Sequence, residues 1–250
     1  MSMKQETRWK LLAGVALVTL TLILMTVHYL IFQDSHHLFI FFLGDLAFIP
    51  IEVLCVTLII DEMLESRDRQ QRMEKLNMVI GIFFSRIGTP LLARLAPADT
   101  CILPLKKDLA IRSADWTPDR FRAAQAGLSD WHCKVDPMQL DRNALRDFLK
   151  GNEDFILRLM ENPNVFEHES FTDLIFAVTH LEEELTARGD LSNLPLTDLA
   201  HLKIDIERVY SLLVPEWLKY MEYLRNHYPY LFSLALRQNP FDEKASVVVR

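Results

Sequence analysis

The sequence predicts an all-α membrane protein, in which a two-helix transmembrane hairpin is followed by a cytoplasmic α-helical domain. Leu11–Gln33 is a run of 23 residues without formal charge, and Leu38–Ile60 is a second, largely apolar run of the same length. From Trp116 onward the apolar residues recur with helical spacing. Only 7 of the 250 residues are glycine, which disfavours Rossmann-type sheets and Gly-rich phosphate loops.

The two apolar runs set the domain organisation. A helix needs about 20 apolar residues to cross a bilayer core, so each run is long enough to span it. A cleaved signal peptide is disfavoured because the first run exceeds the usual apolar region of about 7–15 residues and no small-x-small site follows. The predicted segments are a cytoplasmic N-terminus, the first span, an external loop, the second span, a juxtamembrane helical region and a cytoplasmic α-helical domain: 1–10, 11–33, 34–37, 38–60, 61–96 and 97–250.

The positive charges near the spans predict the orientation. The flanking basic residues are Lys4, Arg8 and Lys10 before the first span, and Arg67, Arg69, Arg72 and Lys75 after the second. The connecting loop has no lysine or arginine. By the positive-inside rule both termini are expected in the cytoplasm. The layout is typical of small prokaryotic proteins and predicts a multi-pass protein of the cell (inner) membrane.

The juxtamembrane region is predicted to continue the second span as one helix. Residues 61–75 carry many charges of both signs and no helix breaker, and Glu65 and Arg69 form an acid-first i, i+4 pair. The apolar stripe that follows suits either a domain core or a contact between subunits; it comprises Met73, Leu76, Ile80, Phe83 and Ile87. Likewise, Val79–Leu95 suits burial in the core better than a position on the membrane surface.

Helix start and stop signals divide the remaining chain. Thr117-Pro118 begins a helix that ends near Gly127, and Asp141 caps one that ends at Gly151. The later predicted helices are one capped by Asn152 and running to Met160, one over Glu169–Ala187 closed by Gly189, and a long segment from Thr197 that Pro215 and Pro229 kink or break.

Two acids within the second span are the candidate functional residues. Asp45 and Glu52 lie seven residues apart, so they share a helix face. A carboxylate facing lipid at mid-membrane costs roughly 2.5–3.5 kcal/mol on insertion scales, so both should face protein or water. His28 of the first span is predicted at the depth of Asp45, which makes a hydrogen-bonded or ionic pair between them possible. Pro50, between the acids, is a candidate kink or gate.

Three roles for these groups stay open on the sequence alone. They can join helices by polar contacts, they can line a cation path when several copies assemble, or His28 and Asp45 can form a proton-linked switch. His36-His37 fits a polar linker better than a metal or pH sensor. His180 and Glu184 share one helix with His168 and Asp173, but no paired Glu-x-x-His motif accompanies them, so no metal site is predicted.

No catalytic residue, cofactor or enzymatic activity is predicted. The Trp131-His132-Cys133 segment is interpreted as a semi-buried turn, and no cysteine spacing suits zinc. The net charge of −7 argues against nucleic acid as a partner. The expected partners are the lipid bilayer, further copies of this chain, monovalent or divalent cations and unidentified proteins that bind residues 97–250.

The function expected from the sequence is cation conduction by a homo-oligomer. The second helix would line the channel, and the cytoplasmic helical domain would gate it. The alternative is a membrane-tethered interaction or signalling module, in which the hairpin only anchors and oligomerises the protein.

Overall fold

A computed structural model describes residues 3–101, 106–107, 109–112, 116–129 and 131–248, with side chains from Arg8 onward. The all-helical class is confirmed, since 81% of the chain is helix and the described residues contain no strand. One isolated antiparallel bridge joins Asp99 to Val135. The chain divides into two compact units, which we call the hairpin unit, up to Arg69, and the helical unit, from Gln70 onward.

The hairpin unit consists of two helices joined by a very short turn. α1 spans Met3–Phe32 and α2 begins at Ser35 and continues to Phe83, beyond the end of this unit. Gln33 adopts a left-handed conformation with φ of 49°. Asp34 then accepts hydrogen bonds from the backbone N–H groups of His36 (2.9 Å) and His37 (3.1 Å), so the predicted loop 34–37 is mostly the capped first turn of α2.

Both helices are long and apolar enough to cross a membrane by length and composition. The most apolar window of each helix is unburied, which distinguishes them from core helices of a water-soluble domain. The threonine hydroxyls of α1 donate to the carbonyl four residues earlier; these threonines are Thr19, Thr21 and Thr26. The surface of α1 therefore offers few unsatisfied polar groups to an apolar environment.

The helical unit contains the end of α2 and seven further helices among its described residues. α2 leads through a wide π-helical turn into α3, and two 3-10 turns separate later helices. The bounds are Phe84–Gly88 for the π turn, Thr89–Leu95 for α3, Ala96–Ala98 for the first 3-10 turn, Pro118–Ser129 for α4, Arg142–Lys150 for α5, Glu153–Met160 for α6, Pro163–Glu167 for the second 3-10 turn, Glu169–Arg188 for α7, Leu196–His227 for α8 and Pro229–Arg237 for α9.

The end of α2 and the π turn belong to the core of this unit. Phe83 is fully buried, with its ring 5.3 Å from that of Phe171 on α7, and Phe84 stacks on Tyr220 of α8 at 4.9 Å. Gly88 is packed so closely that an added Cβ would clash with the Phe84 ring. The core interpretation of Val79–Leu95 is confirmed, and this segment packs with residues that the sequence had assigned to a separate domain.

Most of the predicted helix boundaries agree with the structure. Asp141 accepts a hydrogen bond from the N–H of Ala144 at 2.9 Å and so caps α5. Gly189 ends α7 with φ of 69°, a conformation that glycine adopts without steric cost. One detail differs. Asn152 precedes α6 without capping it, because its amide donates to the carbonyl of Phe148 instead. The long segment continues through Pro215, where a kink or a break was expected, and is broken before Pro229.

Candidate functional site

The two acids predicted to carry the function lie on α2 in the hairpin unit. Asp45 and Glu52 are both exposed, and the structure gives neither a hydrogen bond nor an ion pair within the described part of the chain. Seven residues of helix separate them by about 10 Å along its axis, on one face. Pro50 lies inside the helix between them and cannot donate a backbone hydrogen bond, which leaves the Leu46 carbonyl without its usual helical donor.

His28 is half-buried on α1, where its ring lies 4.7 Å from that of Phe32. Between His28 and Asp45 no hydrogen bond or ion pair is formed within the described residues of a single chain. Their pairing therefore stays a prediction. In a bilayer the unpartnered carboxylates would need water, a cation or another copy of the chain, since lipid offers no partner.

The histidines of the hairpin turn have structural roles. The His37 N–H is the main reason that the pKa of Asp34 is lowered, and the His37 ring packs edge-on against Phe41 at 4.7 Å. The backbone N–H groups of His36 and His37 thus donate the hydrogen bonds that the capping carboxylate of Asp34 accepts. This arrangement agrees with the interpretation of His36-His37 as a polar linker.

The helical unit contains an apolar cavity of about 500 Å³ between the end of α2, the π turn, α8 and α9. Its wall includes Ile82, Arg86, Tyr220, Tyr223 and Tyr228. Burial and a hydrogen bond with Tyr228 raise the pKa of Tyr223 to about 12, so its hydroxyl stays neutral. The arrangement suits a mainly apolar ligand with a polar or anionic end, because Arg86 is the cation among these residues.

No pattern in the sequence had indicated this cavity. Tyr220 lies at an apolar position of the last long helix and was predicted only as part of its apolar stripe, and the cavity exists only because α9 turns back beside α2. The π turn beside it is a further feature that sequence patterns do not reveal, and such turns are frequent at functional sites.

A second cluster lies between α7 and α8, and the sequence did not identify it. His180 and Glu184 are four residues apart on α7, and His201 and Asp205 are four apart on α8. The His201 Nε2 lies 3.4 Å from Glu184 Oε2 and 3.5 Å from Asp205 Oδ2, and the His180 Nε2 lies 3.6 Å from Asp205 Oδ1. The paired His-x-x-x-acid spacing was the signal that would have found it, because i and i+4 share a helix face.

Two arginines bind the carboxylates of this cluster from outside. Arg188 donates to Glu184 Oε2 at 2.5 Å and to both oxygens of Asp198 at 2.9 Å, and it lowers the pKa of both carboxyl groups. Arg208 donates to Asp205 Oδ1 at 2.6 Å. These charge-assisted hydrogen bonds orient the carboxylates of Glu184 and Asp205.

Cys133 is a structural residue. Its Sγ donates to the backbone carbonyl of Glu207 at 3.3 Å, and burial raises the thiol pKa to about 11. A thiol that stays protonated at neutral pH is a poor nucleophile. The interpretation of residues 131–133 as a semi-buried turn is consistent with this environment.

Comparisons with known proteins place the chain in a family. A model of the N-terminal helical domain of MJ1433 matches residues 4–64, and a model of the C-terminal helical domain of the uncharacterized protein MJ1433 matches residues 72–237. These ranges separate where the hairpin unit meets the helical unit. No solved structure matches the chain.

The chain is also similar over nearly its whole length to the uncharacterized protein MJ1433 of Methanocaldococcus jannaschii. The two are 43% identical over 243 residues, which cover 97% of each chain. Because both helical domains match in order and the similarity is nearly end to end, the chain belongs to the MJ1433 family.

Proposed function

We propose that this chain is a homo-oligomeric integral membrane protein that conducts cations along a path lined by α2. The observation that carries the proposal is the placement of Asp45 and Glu52 on one face of an apolar helix, without a partner in the described chain. Stacked carboxylates contributed by several copies would form acidic rings, an arrangement that favours cations.

The unburied surface of the hairpin supports membrane insertion and assembly. Apolar side chains from Leu11 to Ile60 are largely exposed in the single chain, so they need lipid or other copies as neighbours. Basic residues flank the two helices on the side of the termini, as expected for a multi-pass protein of the cell (inner) membrane with cytoplasmic ends.

The helical unit is proposed to gate the path. Its core includes the last residues of α2, among them Leu76 and Phe83, so the helix that carries the acids is also an element of the folded domain. Pro50 lacks a backbone hydrogen bond at the level of the acids and provides a point at which that helix can bend.

The test is single-channel current from purified protein in planar bilayers. The wild type is compared with Asp45→Asn/Glu52→Gln, and Asp68→Asn serves as the control because it removes one exposed charge of α2 outside the apolar run. We expect cation-selective openings in the wild type and the control, and altered conductance or selectivity in the double variant.

Silence across voltage, pH and tension, from protein shown to be folded and oligomeric, would contradict conduction. The result would favour the second function, a membrane-tethered module that binds a ligand or partner. The cavity of about 500 Å³ in the helical unit is the observation that supports this alternative. Native mass spectrometry of the detergent-purified protein would then detect a retained small molecule, and Ile82→Trp, which fills the cavity, should abolish its retention.

A further inference from the structure

We infer that the cluster between α7 and α8 is a binding site for a divalent transition-metal ion with the chemistry of Zn²⁺. Glu184, His201 and Asp205 would supply three ligands, water would complete the coordination, and His180 would help to position Asp205. Imidazole nitrogen and carboxylate oxygen are both common zinc ligands. The site belongs to the helical unit and is independent of the proposed conduction through α2.

The distances between the donor atoms suit tetrahedral coordination. A tetrahedron with bonds of about 2.0–2.2 Å has edges of about 3.3–3.6 Å, whereas an octahedron with similar bonds has edges near 3.0 Å. The His201 Nε2 lies 3.4 Å from Glu184 Oε2 and 3.5 Å from Asp205 Oδ2. All three donor atoms lie within 4.8 Å of one another, so rotation at the end of the Glu184 side chain can complete the third edge.

An unpartnered buried oxygen points into the same space. The Asp205 side chain is 3% exposed, and its Oδ2 is buried without a hydrogen bond. A buried carboxylate oxygen without a partner is costly, because it has left water and gained nothing in return. A metal ion bound by His201 and Glu184 would satisfy this oxygen where the other described side chains do not.

A second histidine, His180, approaches the Asp205 carboxylate at its other oxygen. The His180 Nε2 lies 3.6 Å from Asp205 Oδ1, so the Asp205 carboxylate lies between the two imidazoles. Both histidines are about half-exposed, which leaves the site open to ions from solvent. α7 and α8 are the most extensively packed pair of described helices, so the backbone that carries the four side chains is firmly held.

The arginines next to the site influence its affinity for the metal ion. Arg188 shares Glu184 Oε2 with the ion, which is possible because a carboxylate oxygen has more than one lone pair. Arg208 fixes the other oxygen of Asp205. These fixed donors orient the ligands, as outer hydrogen bonds do in known metal sites, but their positive charges lower the affinity relative to an all-anionic site.

The experiment is titration of the full-length, detergent-purified and chelator-treated protein with Zn²⁺ by calorimetry, followed by Co²⁺ as a spectroscopic probe. His36→Gln/His37→Gln is the common background, so that Zn²⁺ binding by the two adjacent imidazoles of the hairpin turn cannot contribute to the titration. We expect one Zn²⁺ per chain and the intense visible absorption of tetrahedral Co²⁺.

The variants assign the ligands. His201→Gln and His180→Gln are compared with His132→Gln, which removes one exposed imidazole elsewhere in the helical unit. Removing a residue that only hydrogen-bonds to a metal ligand typically weakens metal binding about 10–100-fold. Removing His201, which would itself be a ligand, should therefore weaken Zn²⁺ binding at least about tenfold. Circular dichroism of each apo variant checks that the helices persist.

Unchanged Zn²⁺ affinity in folded His201→Gln would overturn the inference, as would the weak absorption of octahedral Co²⁺. Absence of saturable binding to the wild type would also overturn it. The cluster would then be an ion-pair network between two helices.

Discussion

The hairpin unit and the helical unit use the same kinds of apolar residue in opposite ways. Leu46 on α2 is 49% exposed, whereas Leu92 on α3 is fully buried. Leucine is common in both helices, so residue type does not separate them. The difference lies in the available neighbours, since the helical unit surrounds its apolar residues with other helices and the hairpin unit leaves them uncovered within the single chain.

The carboxylates of the two units differ in the same way. Glu216 of α8 is almost fully buried, but it accepts hydrogen bonds from Ser170 at 2.7 Å and from Lys219 at 2.6 Å. Asp45 and Glu52 have no such donors within the described chain. If the hairpin lies in a membrane as proposed, the partners of this second pair would have to come from outside the chain.

Separating the two units should have the largest effect, and the property affected is solubility without detergent. We expect a fragment beginning at Gln70 to remain soluble and monomeric without detergent, because its apolar residues form a continuous core. The full chain should sediment unless detergent or lipid covers the hairpin. Analytical ultracentrifugation measures both. Aggregation of the fragment would mean that the helical unit needs the hairpin in order to fold.

Replacing one phenylalanine by alanine in each unit should lower the stability of the helical unit by unequal amounts. Phe83→Ala should destabilise the helical unit by about 3–5 kcal/mol, because it leaves a cavity among fully buried side chains. Phe42→Ala, in the exposed part of α2, should not change the unfolding of that unit. Denaturant titration in a fixed detergent, followed by the fluorescence of the buried Trp217, measures both. Equal losses would show that the two units unfold together.

Cysteine alkylation should distinguish protection by protein from protection by lipid. A rise of two units in a thiol pKa lowers the thiolate fraction near neutral pH about 100-fold, so Cys133, with a pKa of about 11, should react slowly. Its rate should rise about tenfold per pH unit towards that value. Cys55, which is exposed in the isolated chain, should react slowly with a charged reagent in vesicles at every pH. The reagent is negatively charged, so that the proposed acidic path would also exclude it; rapid labelling of Cys55 in vesicles by this reagent would contradict membrane insertion.

The same thiol should affect stability in alkaline solution. Folding keeps the Cys133 thiol protonated up to a pKa of about 11, whereas the unfolded thiol ionises near 9.0. The contribution of Cys133 is therefore fully present below pH 9 and is lost as the pH rises towards 11. Cys133→Ala should flatten the decline in the free energy of unfolding over this interval, and Cys101→Ala should not.

Removing a helix cap in each unit should give the smallest change in the free energy of unfolding. Asp141→Ala should lower the free energy of unfolding of the helical unit by about 1 kcal/mol, since it removes the cap of α5. Asp34→Ala removes the comparable cap of α2 and should leave that free energy unchanged. Guanidinium titration of both variants measures the difference. A loss with Asp34→Ala would link the hairpin turn to the stability of the helical unit.

Local signals explain why much of the fold was predictable from the sequence. The caps at Asp141 and Gly189 act on neighbouring backbone groups, so their effect depends on a few consecutive residues. Local signals left open whether Pro215 kinks or breaks the helix; α8 continues through it, with Leu213 and Trp217 fully or almost fully buried beside it. Such burial is able to offset the roughly 3 kcal/mol that a proline costs inside a helix.

The candidate sites depend on contacts that the sequence does not encode locally. Asp45 and Glu52 were identifiable because a charge is conspicuous within an apolar run. The histidine–carboxylate cluster joins His180 to Asp205 across two helices, and the cavity beside Tyr223 needs three helices and the π turn. No short-range pattern fixes those distances.

The packing at Gly88 restricts how this sequence can evolve. A single added methyl group at this position would meet the ring of Phe84, which is itself held against Tyr220. Replacement of Gly88 would therefore be tolerated only together with a compensating change at Phe84 or its neighbours. We expect members of the family to retain glycine here, or to vary positions 84 and 88 together, even where the surrounding helices have diverged.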